Sequence, residues 1–295
     1  MGRPEALRSR AGTPLLLLLS LALVAPARGG EAPAPAGHLL LIGGGPRPPA
    51  VMAKFVALAG GPAAPIVVFP TASELADTGA VYERELAALG AERVEALPVH
   101  DRRDAARADL VAKVEAAGGI FFSGGDQRRI TAALLGTPLG RAVEAAYRRG
   151  AVVGGTSAGL ACMSELMLTG EGEFDGVRAG AVEVVPGLGL LAGVVLDQHF
   201  LARQRLNRLL AVILERPALL GIGVDEATAI WVRPDGTLEV MGESQAVVVD
   251  ARAAALSRAE APEGRPAPLG AADVRLHLLL PGDRLDLVSG RPLPR

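Results

Sequence analysis

The sequence predicts an α/β fold built around a buried parallel sheet. Three observations carry this. Short apolar runs alternate with stretches of helical spacing. The runs are apolar throughout rather than at every second residue. Several of them end in glycine-rich turns. Apolar strands of four to six residues alternating with helices imply βαβ units covered on both faces. In such sheets the crossovers are right-handed, and sites collect at the carboxyl ends of the strands.

The elements follow in order. HLLLIGGG (38–45) is a strand ending in glycines, and 50–59 has helical spacing. PIVVFPTAS (65–73) is a β-branched run, followed by a helix over 75–89. ERVEALPV is a third strand, with a helix over 104–117. GGIFFSGGD (118–126) is a fourth, and its helix carries Arg128, Arg129 and Ile130. A helix over 138–149 leads into AVVGGTSAG (151–159). The later part reads differently. VVLDQHF is an apolar strand, and 222–242 reads as two strands around a Pro-Asp-Gly turn. QAVVVD (245–250) is a strand, 251–272 a surface loop rich in Ala, Pro and Arg, and VRLHLLL (274–280) a final strand. No internal repeat is visible.

Composition bounds the function. Half of the 295 residues are apolar, 21% are charged and mean hydropathy is +0.33. This supplies a large core and excludes a disordered chain. Thirty basic residues face 32 acidic ones for a net charge of −2, and no basic run stands out. Nucleic-acid binding therefore has no electrostatic footprint. Aromatic residues are only 3% of the chain, too few for base-stacking platforms. The single cysteine, Cys162, excludes an intrachain disulfide and any multi-cysteine zinc or iron–sulfur site. No cofactor and no metal are expected.

The first residues read as a secretory signal peptide. Arg3, Arg8 and Arg10 precede an uncharged run from Leu15 to Val24, and Ala25-Pro26-Ala27 supplies the small residues of a cleavage site. The run is shorter than the roughly 20 residues of a membrane-spanning helix. The expected organisation is a signal peptide over 1–27, a flexible leader over 28–37 and one domain over 38–295. The mature protein is expected in the periplasm or secreted, with no membrane anchor.

Gly155-Thr156-Ser157-Ala158-Gly159 fits the G-x-S-x-G nucleophile elbow. That chemistry needs a serine on a sharp strand-to-helix turn, with Oγ projecting and the next backbone N–H available to an oxyanion. An apolar strand precedes this pentapeptide and a helical pattern follows it. The same spacing would also make a tight turn. Ser157 needs a base. Of four histidines, His38 opens a buried strand, His100 lies in a polar segment, and His277 alternates with leucines in a terminal strand. His199 ends an apolar strand beside Asp197 and Gln198, and is the favoured base. Asp225 and Glu226 follow GIGV at another strand end, and either can orient the imidazole. An order of serine, acid, histidine would instead use Asp197 or Glu226 with His277. That order calls for an HGGG-type oxyanion loop, which the chain lacks.

Four segments, VVGGTSAGLACMSE, FFSGGDQRRI, LDQHFLARQRLNRLL and GIGVDEATA, together resemble the cyanophycinases. These are serine peptidases related to dipeptidase E (aspartyl dipeptidase), with the fold of class I glutamine amidotransferases. The resemblance covers residues 38–287 or so. It implies a three-layer parallel-sheet sandwich with additional C-terminal strands. It implies Ser157 as nucleophile, His199 as base and Glu226 as orienting acid. An oxyanion hole would come from Ala158 N–H and the N–H of one glycine of the pair, Gly124 or Gly125. Substrate contacts would come from Gln127, Asp197, Gln198, Arg203, Arg205 and Arg208. The implied substrate is cyanophycin, a poly-aspartate with arginine on each β-carboxyl, or else a small aspartyl or isoaspartyl peptide. A homodimer is compatible with the resemblance. Independently of it, Arg205 and Arg208 are three apart, as on one helix face, whereas Leu206, Leu209, Leu210 and Ile213 form an apolar face. Arginine binds carboxylates in bidentate fashion, and Asp197 can receive a guanidinium. The plain alternative is a solvated arginine-rich helix.

Overall fold

Five strands pair in parallel at the centre: β1 (Leu39–Ile42), β2 (Ile66–Phe69), β3 (Val94–Ala96), β4 (Gly119–Phe122) and β5 (Val152–Thr156). The computed structural model describes residues 1–2, 36–172, 175–261, 263 and 265–295. Ala34–Arg295 forms one unit and Met1–Pro33 another, and every strand and helix among the described residues belongs to the former. Residues 3–27 of the expected signal sequence and 28–35 of the leader lie outside the described residues. Among the described residues, no helix is long and apolar enough to cross a membrane.

The crossovers are α1 (Pro49–Leu58), α2 (Thr78–Ala88), α3 (Ala108–Ala116), α4 (Gln127–Leu134) and α5 (Pro138–Arg149). The remaining elements are α6 (Ala158–Ala161), β6 (Leu166–Gly172), β7 (Val182–Pro186), β8 (Val194–Gln198), α7 (Leu206–Glu215), β9 (Leu220–Val224), β10 (Thr228–Val232), β11 (Thr237–Gly242), β12 (Ala246–Asp250), β13 (Ala255–Arg258), β14 (Leu269–Ala272), β15 (Arg275–Leu279), β16 (Arg284–Asp286) and β17 (Arg291–Leu293). The main sheet runs β17-β16-β11-β10-β1-β5-β4-β2-β3, and a second runs β15-β12-β9-β8.

The continuous apolar runs are explained by burial on both faces. Leu39, Leu41, Phe69 and Phe122 point into one core, and Leu40, Ile42, Val68 and Phe121 into another. Alternate residues of each strand thus serve opposite layers. Phe69 stacks on Phe122, and Phe55 of α1 meets Phe121 edge-on. Helix α5 is fixed locally as well. Thr137 accepts from Gly140 N–H, Pro138 opens the first turn, Arg148 and Arg149 sit in the last, and Gly150 ends it at φ 119°.

Several boundaries differ from the sequence expectation. The helix expected over 104–117 is a 3₁₀ turn at Asp104–Ala106 followed by α3. Helix α2 starts at Thr78, because Ser73 Oγ accepts from Leu75 N–H and bonds Thr78 Oγ1, closing a turn first. The 222–242 stretch is not one hairpin. Its opening residues finish β9 in the second sheet, and only β10 and β11 flank the turn. The 251–272 loop contains the β13–β14 hairpin, whose β13 residues are all exposed and so carry no burial period. β15 is not the last strand, since β16 and β17 follow it.

Candidate active site

Register places the site. Phe122 of β4 pairs with Gly155 of β5, and Ile42 of β1 with Thr156. Gly43, Gly124 and Ser157 therefore leave the sheet side by side at its carboxyl edge. In the second sheet Gln198 of β8 pairs with Val224 of β9, so His199 and Asp225-Glu226 emerge together. Two backbone bonds join the edges: His199 N–H to Gly43 O at 2.7 Å, and Ala227 N–H to Gly44 O at 2.9 Å.

Ser157 sits at φ 53° and ψ −107° between β5 and α6. A non-glycine residue held there is strained and persists only where its surroundings fix it. The fixing contacts are visible. Ser157 N–H donates to Ile42 O, and the flanking glycines touch backbone. A Cβ on Gly155 would lie 2.3 Å from Gly159 O, and one on Gly159 2.4 Å from Phe122 O. The glycines of the elbow are thus required by close approach.

Ser157 Oγ lies 2.8 Å from His199 Nε2, and His199 Nδ1 lies 2.6 Å from Glu226 Oε1. With Nδ1 protonated against the carboxylate, Nε2 is left as the acceptor for the serine proton. This geometry selects Glu226 over Asp225. Asp225 accepts instead from Leu201 N–H, Ala202 N–H and Ser244 Oγ, clamping the turn that follows His199. Burial opposes its charge, but these bonds hold its carboxyl below the usual range. Ala158 N–H is the first amide of α6 and has no acceptor within the helix. Gly124 lines the cleft beside Ser157. Gly125 has φ 138°, and a Cβ there would lie 2.0 Å from Ala72 O.

Gln127 donates Nε2 to Leu168 O and Thr169 O, both at 2.8 Å, tying α4 to β6. Arg203 is exposed near the imidazole, and Arg205 donates to the backbone and side-chain oxygens of Gln198. Arg208 is not the solvated residue of the plain alternative. It is 3% exposed and forks onto Asp197, which is 1% exposed. The fork ties α7 to β8. Arg205 precedes α7 rather than sharing a face within it. Both guanidiniums converge on Asp197, with Arg205 at 3.7 Å. Burial beside Arg208 lowers Arg205 to about 10, still charged near neutrality.

Of the remaining histidines, His38 accepts from Trp231 Nε1, His100 is exposed, and His277 pairs with Val248 in the second sheet. None of them takes part in the hydrogen-bonded chain. Cys162 is buried with Sγ against Gly159 O, and burial pushes its thiol up.

Ser157 and His199 open onto a cleft of about 370 Å³ that is also lined by Gly44, Gly45, Arg47, Ser73, Asp77, Thr78, Val81 and Tyr82. The sequence marks the glycines that end β1 but offers no local motif for Arg47 or Tyr82.

Burial holds the His199 imidazole below its ordinary 6.5, with Arg203 and Arg205 pushing the same way against Glu226. The base must be neutral, so activity rises with pH through this pKa. The acid limb of kcat/KM is therefore expected below pH 6.5. Glu226→Gln should move it lower still and cut kcat by on the order of 10⁴. A limb above neutrality in a pH series would contradict this assignment.

The sequence pattern of peptidase family S51 matches residues 39–240. A cyanophycinase from Nostoc sp. is 35% identical over 247 residues, covering 83% of this chain and 82% of that protein. A cyanophycinase from Synechococcus elongatus is 36% identical over 256 residues, covering 85% and 79%. Among solved structures, a peptidase from an acI-B1 Actinobacterium superposes with TM-score 0.61 at 24% identity, covering 74% of this chain and 93% of that one. A putative peptidase E protein from Listeria monocytogenes gives TM-score 0.50 at 18% identity, covering 70% and 99%. These two likenesses concern the fold. By the extent of the family match and the identity to these relatives, the chain belongs to peptidase family S51 and is a serine-type peptidase.

Proposed function

We propose that this protein is an exported serine peptidase that hydrolyses cyanophycin to β-Asp-Arg dipeptides through an acyl-enzyme on Ser157. The observation that carries the reading is the hydrogen-bonded chain Ser157–His199–Glu226 at the edge of a cleft, in a chain about a third identical to cyanophycinases. Export rests on the signal-like residues 3–27.

The distances in the Ser157–His199–Glu226 chain support the following steps. As Ser157 Oγ attacks the scissile carbonyl, His199 Nε2 takes its proton. Glu226 balances the resulting imidazolium. The oxyanion is met by Ala158 N–H and Gly125 N–H. The imidazolium then protonates the leaving amine, which departs and leaves an ester on Ser157. Water attacks the ester, giving its proton to His199, and Ser157 recovers its own as the acid product leaves.

The test is incubation of the purified protein with cyanophycin and mass analysis of the soluble fraction. The expected product is β-Asp-Arg. No soluble product, with turnover of isoaspartyl dipeptides, would make the protein a small-peptide hydrolase instead. The intact mass of exported protein, expected to start near Arg28, checks the export.

A further inference from the structure

Three side chains that this mechanism leaves unused line the cleft beside Ser157: Arg47, Asp77 and Tyr82. Their placement follows from the helix period. Thr78, Val81, Tyr82 and Glu85 fall at i, i+3, i+4 and i+7 of α2 and so share one face. Tyr82 is 4% exposed and lines the cleft together with Gly124, in the loop beside the nucleophile. The Arg47 guanidinium lies 4.5 Å from the Tyr82 ring centroid. This is cation–π geometry. Glu85 accepts from Arg47 Nε at 3.0 and 2.9 Å and from Nη2. Among the described residues, no protein acceptor meets Nη1. The cation is thus held in place on two sides, with one edge left to donate. Asp77, at the start of α2, is exposed and its side chain accepts no capping hydrogen bond.

A cation and an anion on one cleft wall suit a ligand that carries both charges. An arginine joined through its α-amine has a free carboxylate at one end and a guanidinium at the other. We propose that Arg47, stacked on Tyr82, and Asp77 form a subsite for one such arginyl group, with Arg47 holding its carboxylate and Asp77 its guanidinium. This rests on the cyanophycin reading and extends it. Arg203 and Arg205 are not among the residues lining this cleft. A chain of repeating units would be held at two places, whereas a single unit would be held at one. The subsite therefore favours polymer over dipeptide product.

The competing role for Arg47 is a staple that ties the loop after β1 to α2 through Glu85. Loss of a staple would weaken turnover of every substrate alike. The decisive comparison uses a short β-Asp-Arg oligomer with free arginyl carboxylates, the same oligomer amidated there, and one with citrulline in place of arginine. Arg47→Met keeps an apolar stem on Tyr82 and removes the charge. It should lower kcat/KM on the free acid roughly ten- to a hundred-fold, mainly through KM, and erase the preference for free acid over amide. Arg47→Lys should restore only part, because an ammonium lacks the planar fork. Asp77→Asn should erase the preference for arginine over citrulline. Equal losses on acid and amide, or no loss, would overturn the proposal.

Calorimetry with Ser157→Ala and Ser157→Ala/Arg47→Met reads binding of the same oligomers without turnover. Selective free-acid binding through Arg47 in a protein inert on cyanophycin would sink the functional reading and keep the subsite. Cyanophycin hydrolysis with no dependence on Arg47 in either assay would do the reverse. No binding and no hydrolysis would remove both.

Discussion

Ser157→Ala is expected to lower kcat by on the order of 10⁴–10⁶ while leaving the fold intact. The loss is large because nucleophile, base and acid act as a unit, and the remaining groups can only bind and polarise the substrate. The fold should tolerate the change because Ser157 is held through its backbone, by the N–H to Ile42 O, while Oγ engages only His199. Alanine also removes a partner that the imidazole can replace with water in the open cleft. Steady-state rates on cyanophycin or an aspartyl peptide, beside a thermal melt, make the measurement. Activity near the wild-type level would falsify the nucleophile assignment. Covalent labelling by a fluorophosphonate probe should disappear in the same variant. Cys162, buried against the backbone of α6, should contribute none of that labelling.

Gly44→Ala should be the most damaging change outside the three reacting groups, and sequence alone offers no reason for it. Gly44 has φ 123°, and a Cβ there would lie 2.2 Å from His199 Cε1 and 2.6 Å from Nε2. The imidazole thus rests directly on this glycine, and its ring cannot stay 2.8 Å from Ser157 Oγ once a methyl group intrudes. A displacement of about 1 Å in a reacting group costs roughly 10² in rate. The expected result is a fall in kcat of about that size or more. The strained φ adds a stability loss of ~1–3 kcal/mol. The two effects separate experimentally, since a melt reports the strain and kcat at a temperature where the variant is folded reports the ring. A folded Gly44→Ala protein with wild-type kcat would show that the imidazole is seated elsewhere.

Much of this protein is legible in its sequence because the relevant physics is local. The four- and five-residue apolar strands announce a sheet buried on both faces, and β1, β2, β4 and β5 are buried throughout. Thr137, Pro138 and Gly150 mark both ends of α5 through capping and a left-handed turn. The Gly155–Gly159 elbow is legible for the same reason, since the sharp turn demands its own glycines. Exposed or weakly periodic pieces such as the β13–β14 hairpin are not legible, because pairing between exposed strands leaves no burial pattern.

Residues a few positions apart in the chain settle the sheet core, the elbow that projects Ser157, and the glycine-rich strand ends. Which charged groups meet is settled only in the folded molecule. There the imidazole goes to Glu226 and the 201–202 turn to Asp225, although the two acids are adjacent in the chain. Arg208 is withdrawn from solvent and locked to Asp197. Arg47 and Tyr82, from two separate crossovers, come to the same cleft as Ser157. The reason is one of range. Burial periods and turn sterics are set within a few residues, whereas a charge finds its partner through strand register across the sheet edges, where one residue of shift would change every pair.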